Sequence, residues 1–249
     1  MTPALLYHDV VAEGDYASSG FVSPDANIYK FSVAEFESHM TAIEARGVAK
    51  DACVLTFDDG GSGAIRYTAD IIERFGRRGH FFIATDYIGS SGFLSSEEIV
   101  ELARRGHSIG SHSCSHPAVM SRMTIPEIER EWRDSMAKLS DILGAPVTSA
   151  SVPTGSYSRD VGRAAASTGV RNLFTSEPTT AIGNIDGCAL IGRYSVQRGT
   201  SREMAASLAA GDWWPGTQQA AYWNFKKILK RAGGNAWIEF RKAVLARRH

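Results

Sequence analysis

The sequence predicts a single α/β domain in which parallel strands, joined by helices, close into a barrel, and three observations carry that prediction. The 249 residues suffice for one barrel-sized domain with a large core that needs no disulfide support. Along most of the chain, short apolar runs alternate with amphipathic stretches, the rhythm of strand, loop and helix. The runs are near-continuously apolar, as in strands buried on both faces, and there are enough βα units for a barrel rather than an open sheet.

Taken in order, ALLYHDVV (4–11) reads as the first strand. FSVAEFESHMTAIEARG (31–47) reads as a helix with Ser32 and Glu35 in capping-box spacing and Gly47 at its end. ACVLTFDDG (52–60) is a buried strand ending in two carboxylates. An amphipathic helix over 65–79 and a second buried strand, HFFIAT (80–85), repeat the unit. A capped helix over 95–106 precedes HSIGSHSCSH (107–116), a strand running into a polar loop. The long helix over 124–144 carries Pro126 in its first turn. The pattern continues through 148–158, a helix over 159–169, and strands over 170–176 and 189–196.

Hydrophobic residues make up 43% and charged residues 22%, as in an ordinary globular protein, and no repeat or low-complexity segment is visible. Lys plus Arg (27) equals Asp plus Glu (27), so no global charge points to nucleic acid or to an acidic partner. The N-terminal stretch MTPALLYHDVVAEG does not read as a signal peptide, and no apolar run is long enough to span a bilayer. Three cysteines without CxxC spacing, Cys53, Cys114 and Cys188, fit reduced thiols. The expectation is a cytoplasmic protein.

Two segments follow from composition: a barrel over 1–210 and a basic, aromatic helical extension over 211–249. The extension holds eight Lys or Arg, from Lys226 to Arg248, against the two acids Asp212 and Glu239. Its helices are expected to pack aromatics on the barrel and turn charge to water. A second reading is contact with the anionic inner face of a membrane, since Trp and Lys/Arg suit that boundary.

Asp58 and Asp59 end an apolar strand beside Gly60 and Gly61, which permit a sharp turn, and in a parallel barrel that edge carries catalysis. Alone, Asp-Asp-Gly is an ordinary turn. His112 and His116 follow the next-but-one apolar strand; on a helical turn, residues i and i+4 share a face from which two imidazoles reach one metal ion. Combined, a carboxylate and two imidazoles make a three-ligand site with open positions. It suits Zn2+ and also permits Co2+, Ni2+, Mn2+ or Fe2+, and the second carboxylate is left free as a base.

TFDDG (56–60) and HSCSH (112–116), in this strand-helix order, resemble the first two motifs of the polysaccharide deacetylase family (NodB homology, carbohydrate esterase family 4), over residues 4–196. The resemblance implies a distorted (β/α) barrel of the NodB type, metal ligands Asp59, His112 and His116, and Asp58 as general base. The substrate would be an N-acetylated sugar or glycan, with the metal polarising the acetyl carbonyl while Asp58 takes the proton of the attacking water. ASVPTGSYS (150–158) resembles the third motif, where a backbone N–H beside the glycine steadies the oxyanion; Thr154 occupies that position.

The sequence departs from the family twice. The arginine that opens the third motif in many relatives falls at Ser151, and Arg193 is the candidate substitute. The usual late acid histidine is missing, since no histidine lies between His116 and His249. Tyr7-His8 resembles the YH motif of the poly-N-acetylglucosamine deacetylases, in which that histidine is the acid; the alternative is a histidine hydrogen-bonded in the barrel rim. His39, His80 and His107 read as structural, and Cys114 as packed away from the ligands.

No dinucleotide fingerprint, phosphate-binding GxxxxGK[ST] loop or GxSxG elbow occurs. The rivals are an amide hydrolase on another small substrate, such as a deformylase, and a catalytically weak binding relative. An intermediate of cell-surface polysaccharide assembly is the substrate expected of a cytoplasmic deacetylase.

Overall fold

Eleven short strands build two sheets in the computed structural model, which describes residues 2–221. In chain order they are β1 (Ala4–Tyr7), β2 (Asp9–Val11), β3 (Lys30–Ser32), β4 (Val54–Phe57), β5 (Gly79–Ile83), β6 (Ser108–Ser111), β7 (Ser149–Ser151), β8 (Asn172–Phe174), β9 (Ile182–Ile185), β10 (Cys188–Ile191) and β11 (Tyr194–Ser195). The larger sheet runs β11-β1-β4-β5-β6-β7-β8-β10-β9, parallel throughout except for the β9–β10 hairpin. Parallel neighbours need crossovers. These are supplied by α2 (Val33–Ala45), α3 (Ala69–Arg74), α4 (Ser96–Arg104), α5 (Ile125–Leu143) and α6 (Arg159–Ser167); α1 (Pro24–Asn27) and α7 (Arg202–Ala209) are further helices.

The expected caps are present. Ser32 and Glu35 close a reciprocal capping box on α2, Ser95 and Glu98 do so on α4, and α5 ends at Gly144 with φ 64°. The buried face of α2 places Phe36 edge-on against Tyr7, ring centroids 5.2 Å apart. Tyr7, Phe57 and Phe81 stack across β1, β4 and β5. Truncating Phe36 to Ala would cost ~3–5 kcal/mol by removing this packing.

Alternate residues of the same strands point into the barrel, where the packing is partly polar. Thr56 of β4 meets Arg193 there, and the Phe82 ring lies against Gly110, where a Cβ would stand 2.6 Å from it. Both ends of the sheet meet at Arg193. β10 pairs with β8 and β11 with β1, at distant positions in the strand order, yet only Gly192 and Arg193 separate them in sequence. So short a link spans roughly 10 Å, so the sheet must curl until its ends lie side by side. The chain itself thus links the two sides of the curled, distorted barrel, and the strand expected over 189–196 is two strands.

The strand expected over 4–11 also divides. After Tyr7 the chain leaves the large sheet, and β2 pairs in parallel with β3 in a two-stranded sheet of its own, leaving His8 at the break. Residues 213–221 of the expected extension are helical. Residues 222–249, with all eight of its Lys and Arg, lie outside the described residues. No helix among the described residues is long and apolar enough to cross a membrane.

Candidate active site

The carboxyl ends of β4 and β6 carry the four motif residues. Asp58 donates its backbone N–H to Tyr7 O, continuing the β1–β4 ladder, and the chain then turns sharply: Asp59 has φ 79° and Gly60 φ 83°. A non-glycine residue in that region is strained and is held only by its surroundings, here Ala84 N–H donating to Asp59 O and Leu94 N–H to Gly60 O. The turn sets two adjacent carboxylates into different environments.

Asp59 faces the histidines. Its Oδ1 lies 3.4 Å from both His112 Nε2 and His116 Nε2. The two imidazoles converge through a loop rather than the expected helical turn, because Ser113 and His116 both have left-handed backbone, φ 64° and 53°. His112 Nδ1–H donates to Ser151 O at 2.9 Å, which leaves the Nε2 lone pair facing Asp59. Phe21 covers the other imidazole, ring centroids 4.7 Å apart.

Asp58 faces a guanidinium. Arg193 Nη1 and Nη2 donate to its Oδ1 and Oδ2 at 2.7 and 2.9 Å, and both side chains are buried. The same guanidinium donates to Thr56 Oγ1, Ser151 Oγ and Thr175 O, and lies 5.6 Å from the Phe82 ring centroid. Burial pushes the Asp58 carboxyl up, but the charges of Arg193 and His112 outweigh it and hold the group below its ordinary range. Arg193, the candidate substitute for the third-motif arginine, thus pairs with Asp58. Ser151 itself takes part, donating Oγ to Asp58 Oδ2 at 3.0 Å. The sequence marks this position only by the missing arginine; its place at the opening of the third motif was the available signal.

His8 and Thr154 line the same cleft of about 620 Å³ as Asp58, Asp59 and His116. The His8 ring lies against that of Tyr29, tilted by 32° with centroids 4.3 Å apart, and its Nδ1 is buried without a hydrogen-bond partner. Burial lowers its pKa, outweighing the nearby Asp59 and Asp58 charges. Thr154, with φ 55°, sits beside Gly155 at the cleft wall, its hydroxyl tied to Ala118 O. The other histidines among the described residues are packed elsewhere: His39 between Tyr7 Oη and Thr200 O, His80 against Ser149 Oγ, and His107 between Gly79 N–H and Glu73. Cys114 turns away, with Sγ 3.4 Å from Glu131 O.

One atom tests the fit of a metal. Asp59 Oδ1 is buried and has no hydrogen-bond partner, which is costly for a carboxylate oxygen unless a cation satisfies it. Ligands ~2.1 Å from a tetrahedral ion stand ~3.4 Å apart, which matches the two oxygen–nitrogen separations. The ligand atoms of Asp59, His112 and His116 all lie within 4.8 Å of one another. The residues present fit a divalent metal.

Fold and site define a class, a distorted (β/α) barrel whose strand ends present one carboxylate and two imidazoles able to hold a metal, with a second carboxylate beside them. The family model for polysaccharide deacetylases matches residues 45–173, just over half of the chain, and the protein belongs to that family. It is 28% identical to YxkH of Bacillus subtilis (strain 168), itself assigned to the polysaccharide deacetylases, over 197 residues. The match covers 72% of this chain and 66% of YxkH, so it spans just under two thirds of that relative. Among solved structures, a polysaccharide deacetylase from Bacillus cereus superposes with a TM-score of 0.70 at 22% identity, covering 84% of this chain and 68% of the other. The Streptococcus pyogenes deacetylase PplD, solved with acetate, superposes with a TM-score of 0.65 at 17% identity, covering 81% and 95%. These two likenesses bear on the fold.

Proposed function

We propose that the protein is a metal-dependent deacetylase that hydrolyses the N-acetyl group of a sugar or glycan. The observation that carries this reading is the division of labour between adjacent carboxylates: Asp59 faces two imidazoles, and Asp58 faces a guanidinium. Family membership supports the same chemistry. Asp59, His112 and His116 would hold a divalent metal, with Zn2+ the best match and Co2+, Ni2+, Mn2+ or Fe2+ compatible, which when bound would supply Lewis-acid activation of the acetyl carbonyl and of water.

The chain's own groups handle the protons. Of the roughly four lone-pair sites on Asp58, Arg193 and Ser151 occupy three, so one on Oδ1 remains to accept the proton of the attacking water. The backbone N–H of Thr154 is the donor for the carbonyl oxygen as it gains charge. His8, at the same cleft, donates a proton to the amine as the C–N bond breaks. This role is that of the YH motif.

The test is acetate release from oligosaccharide, nucleotide-linked and lipid-linked N-acetyl sugars by protein purified with its native metal, beside Asp58→Asn. Release that Asp58→Asn abolishes, at unchanged metal content, supports the reading, and the substrate profile separates a biosynthetic intermediate from a mature polysaccharide. One bound metal without acetate release from any of them would point to a different amide substrate; absence of bound metal would overturn the mechanism.

A further inference from the structure

Both imidazole ligands depend on the five-residue loop 112–116, and each of its N–H groups has a defined acceptor. His112 N–H donates to Ile83 O, Ser113 N–H to Ser111 Oγ, and His116 N–H to Ser113 Oγ. From the strand side, Thr85 and Asp86 N–H donate to Ser113 O and Cys114 O. The two central N–H groups, of Cys114 and Ser115, converge on one atom, Glu131 Oε2, at 2.9 Å each. Ser115 Oγ donates to the other oxygen, Oε1, at 2.7 Å. Successive N–H groups aimed at one point, beside a left-handed residue, form a concavity for an anion, and a carboxylate is a strong occupant of it.

Glu131 is itself held in place by the helix that carries it. On α5, Ser135 accepts the Ser111 hydroxyl at 2.7 Å and Lys138 Nζ donates to Thr85 O at 2.7 Å. Positions i, i+4 and i+7 share one helix face, so one stripe of α5 grips the ends of β5 and β6 together with the loop between the imidazoles.

We propose that Glu131 is a positioning residue for the metal centre: its carboxylate closes the 112–116 loop and so sets the separation of His112 and His116 before a metal arrives. The inference rests on reading Asp59, His112 and His116 as metal ligands. Glu131 acts on them through the backbone of Cys114 and Ser115.

The test is Co2+ binding by the whole protein, read by competition with a chelating dye and by the visible spectrum of the bound ion, together with kcat and KM for acetate release. Glu131→Ala weakens Co2+ binding by roughly ten- to a hundredfold, the usual effect of losing an outer-shell partner. It also changes the Co2+ spectrum, and lowers kcat more than it raises KM. Glu131→Gln, which keeps an oxygen for the two N–H groups and an amide for Ser115 Oγ, restores most of the affinity. Should Glu131→Ala fail to fold, Ser115→Ala, which removes only the Oε1 contact, carries the comparison with a smaller loss. Unchanged Co2+ affinity and spectrum in a folded Glu131→Ala or Ser115→Ala protein overturn the proposal, as does a fall in melting temperature alone. Absence of Co2+ binding by the unaltered protein would instead refute the metal centre itself.

Discussion

Arg193 and Asp58 form a two-pronged ion pair, Nη1 to Oδ1 at 2.7 Å and Nη2 to Oδ2 at 2.9 Å, with both side chains out of water. Removing one partner of a buried pair leaves the other charge uncompensated, at a cost of ~3–5 kcal/mol. Arg193→Met is therefore expected to lower stability by about that amount in urea unfolding. Arg193→Lys keeps the charge but not the fork, so it should fold better while kcat falls by roughly tenfold or more, because the proton-accepting lone pair of Asp58 is no longer held in place.

His8 shares the cleft with the carboxylates, its ring against that of Tyr29. His8→Gln should lower kcat by about 10²–10⁴-fold, the usual worth of a positioned acid, with metal stoichiometry unchanged. A kcat within threefold of wild type would return His8 to the rim histidine that the sequence also allows.

Removal of the metal should act on stability as well as activity. Chelation is expected to abolish acetate release and to lower the melting temperature, and Zn2+ at ~100 times its dissociation constant should restore ~2.7 kcal/mol. Calorimetry with and without chelator checks this. An identical melting temperature in both states would show that Asp59, His112 and His116 bind no ion.

His80, on β5, supplies a pH prediction. Burial, with the positive charge of Arg193, pushes its pKa down to about 4. The folded state therefore binds fewer protons than the unfolded chain between about pH 4 and 6.5, so stability is present above 6.5 and is lost as pH falls toward 4. The ring is half-buried, stacked on Phe82, so the loss is discounted to ~2–3 kcal/mol relative to His80→Gln. Urea midpoints of both proteins at pH 7 and pH 4.5 measure it; parallel pH curves would mean that the imidazole is solvated.

The site was legible in part because its chemistry is carried by short contiguous motifs. TFDDG and HSCSH each follow an apolar strand, and parallel strands deliver their carboxyl ends to one edge, so Asp58, Asp59, His112 and His116 could be brought together without coordinates. The capping boxes of α2 and α4 were readable for a similar reason, since both partners lie within four residues.

Contacts between distant residues had no such signal. Glu131 is one polar residue among many on an amphipathic helix, and only the packing of α5 across β5 and β6 brings its carboxylate onto the Cys114 and Ser115 amides. His112 and His116 were expected on a helical turn because i and i+4 spacing is helical by default; left-handed Ser113 and His116 replace that turn with a loop.

The sequence by itself determined the α/β class, the strand-ending carboxylates and the paired imidazoles, because these depend on periodicity and on spacings of a few residues. Tertiary structure decided how the imidazoles are brought onto Asp59, where the chain links the two sides of the curled sheet, and that Arg193, 135 residues beyond Asp58, pairs with its carboxylate. Those outcomes depend on the curl of the sheet, which lets a two-residue link join its ends and puts the guanidinium inside, and no local pattern encodes that curl.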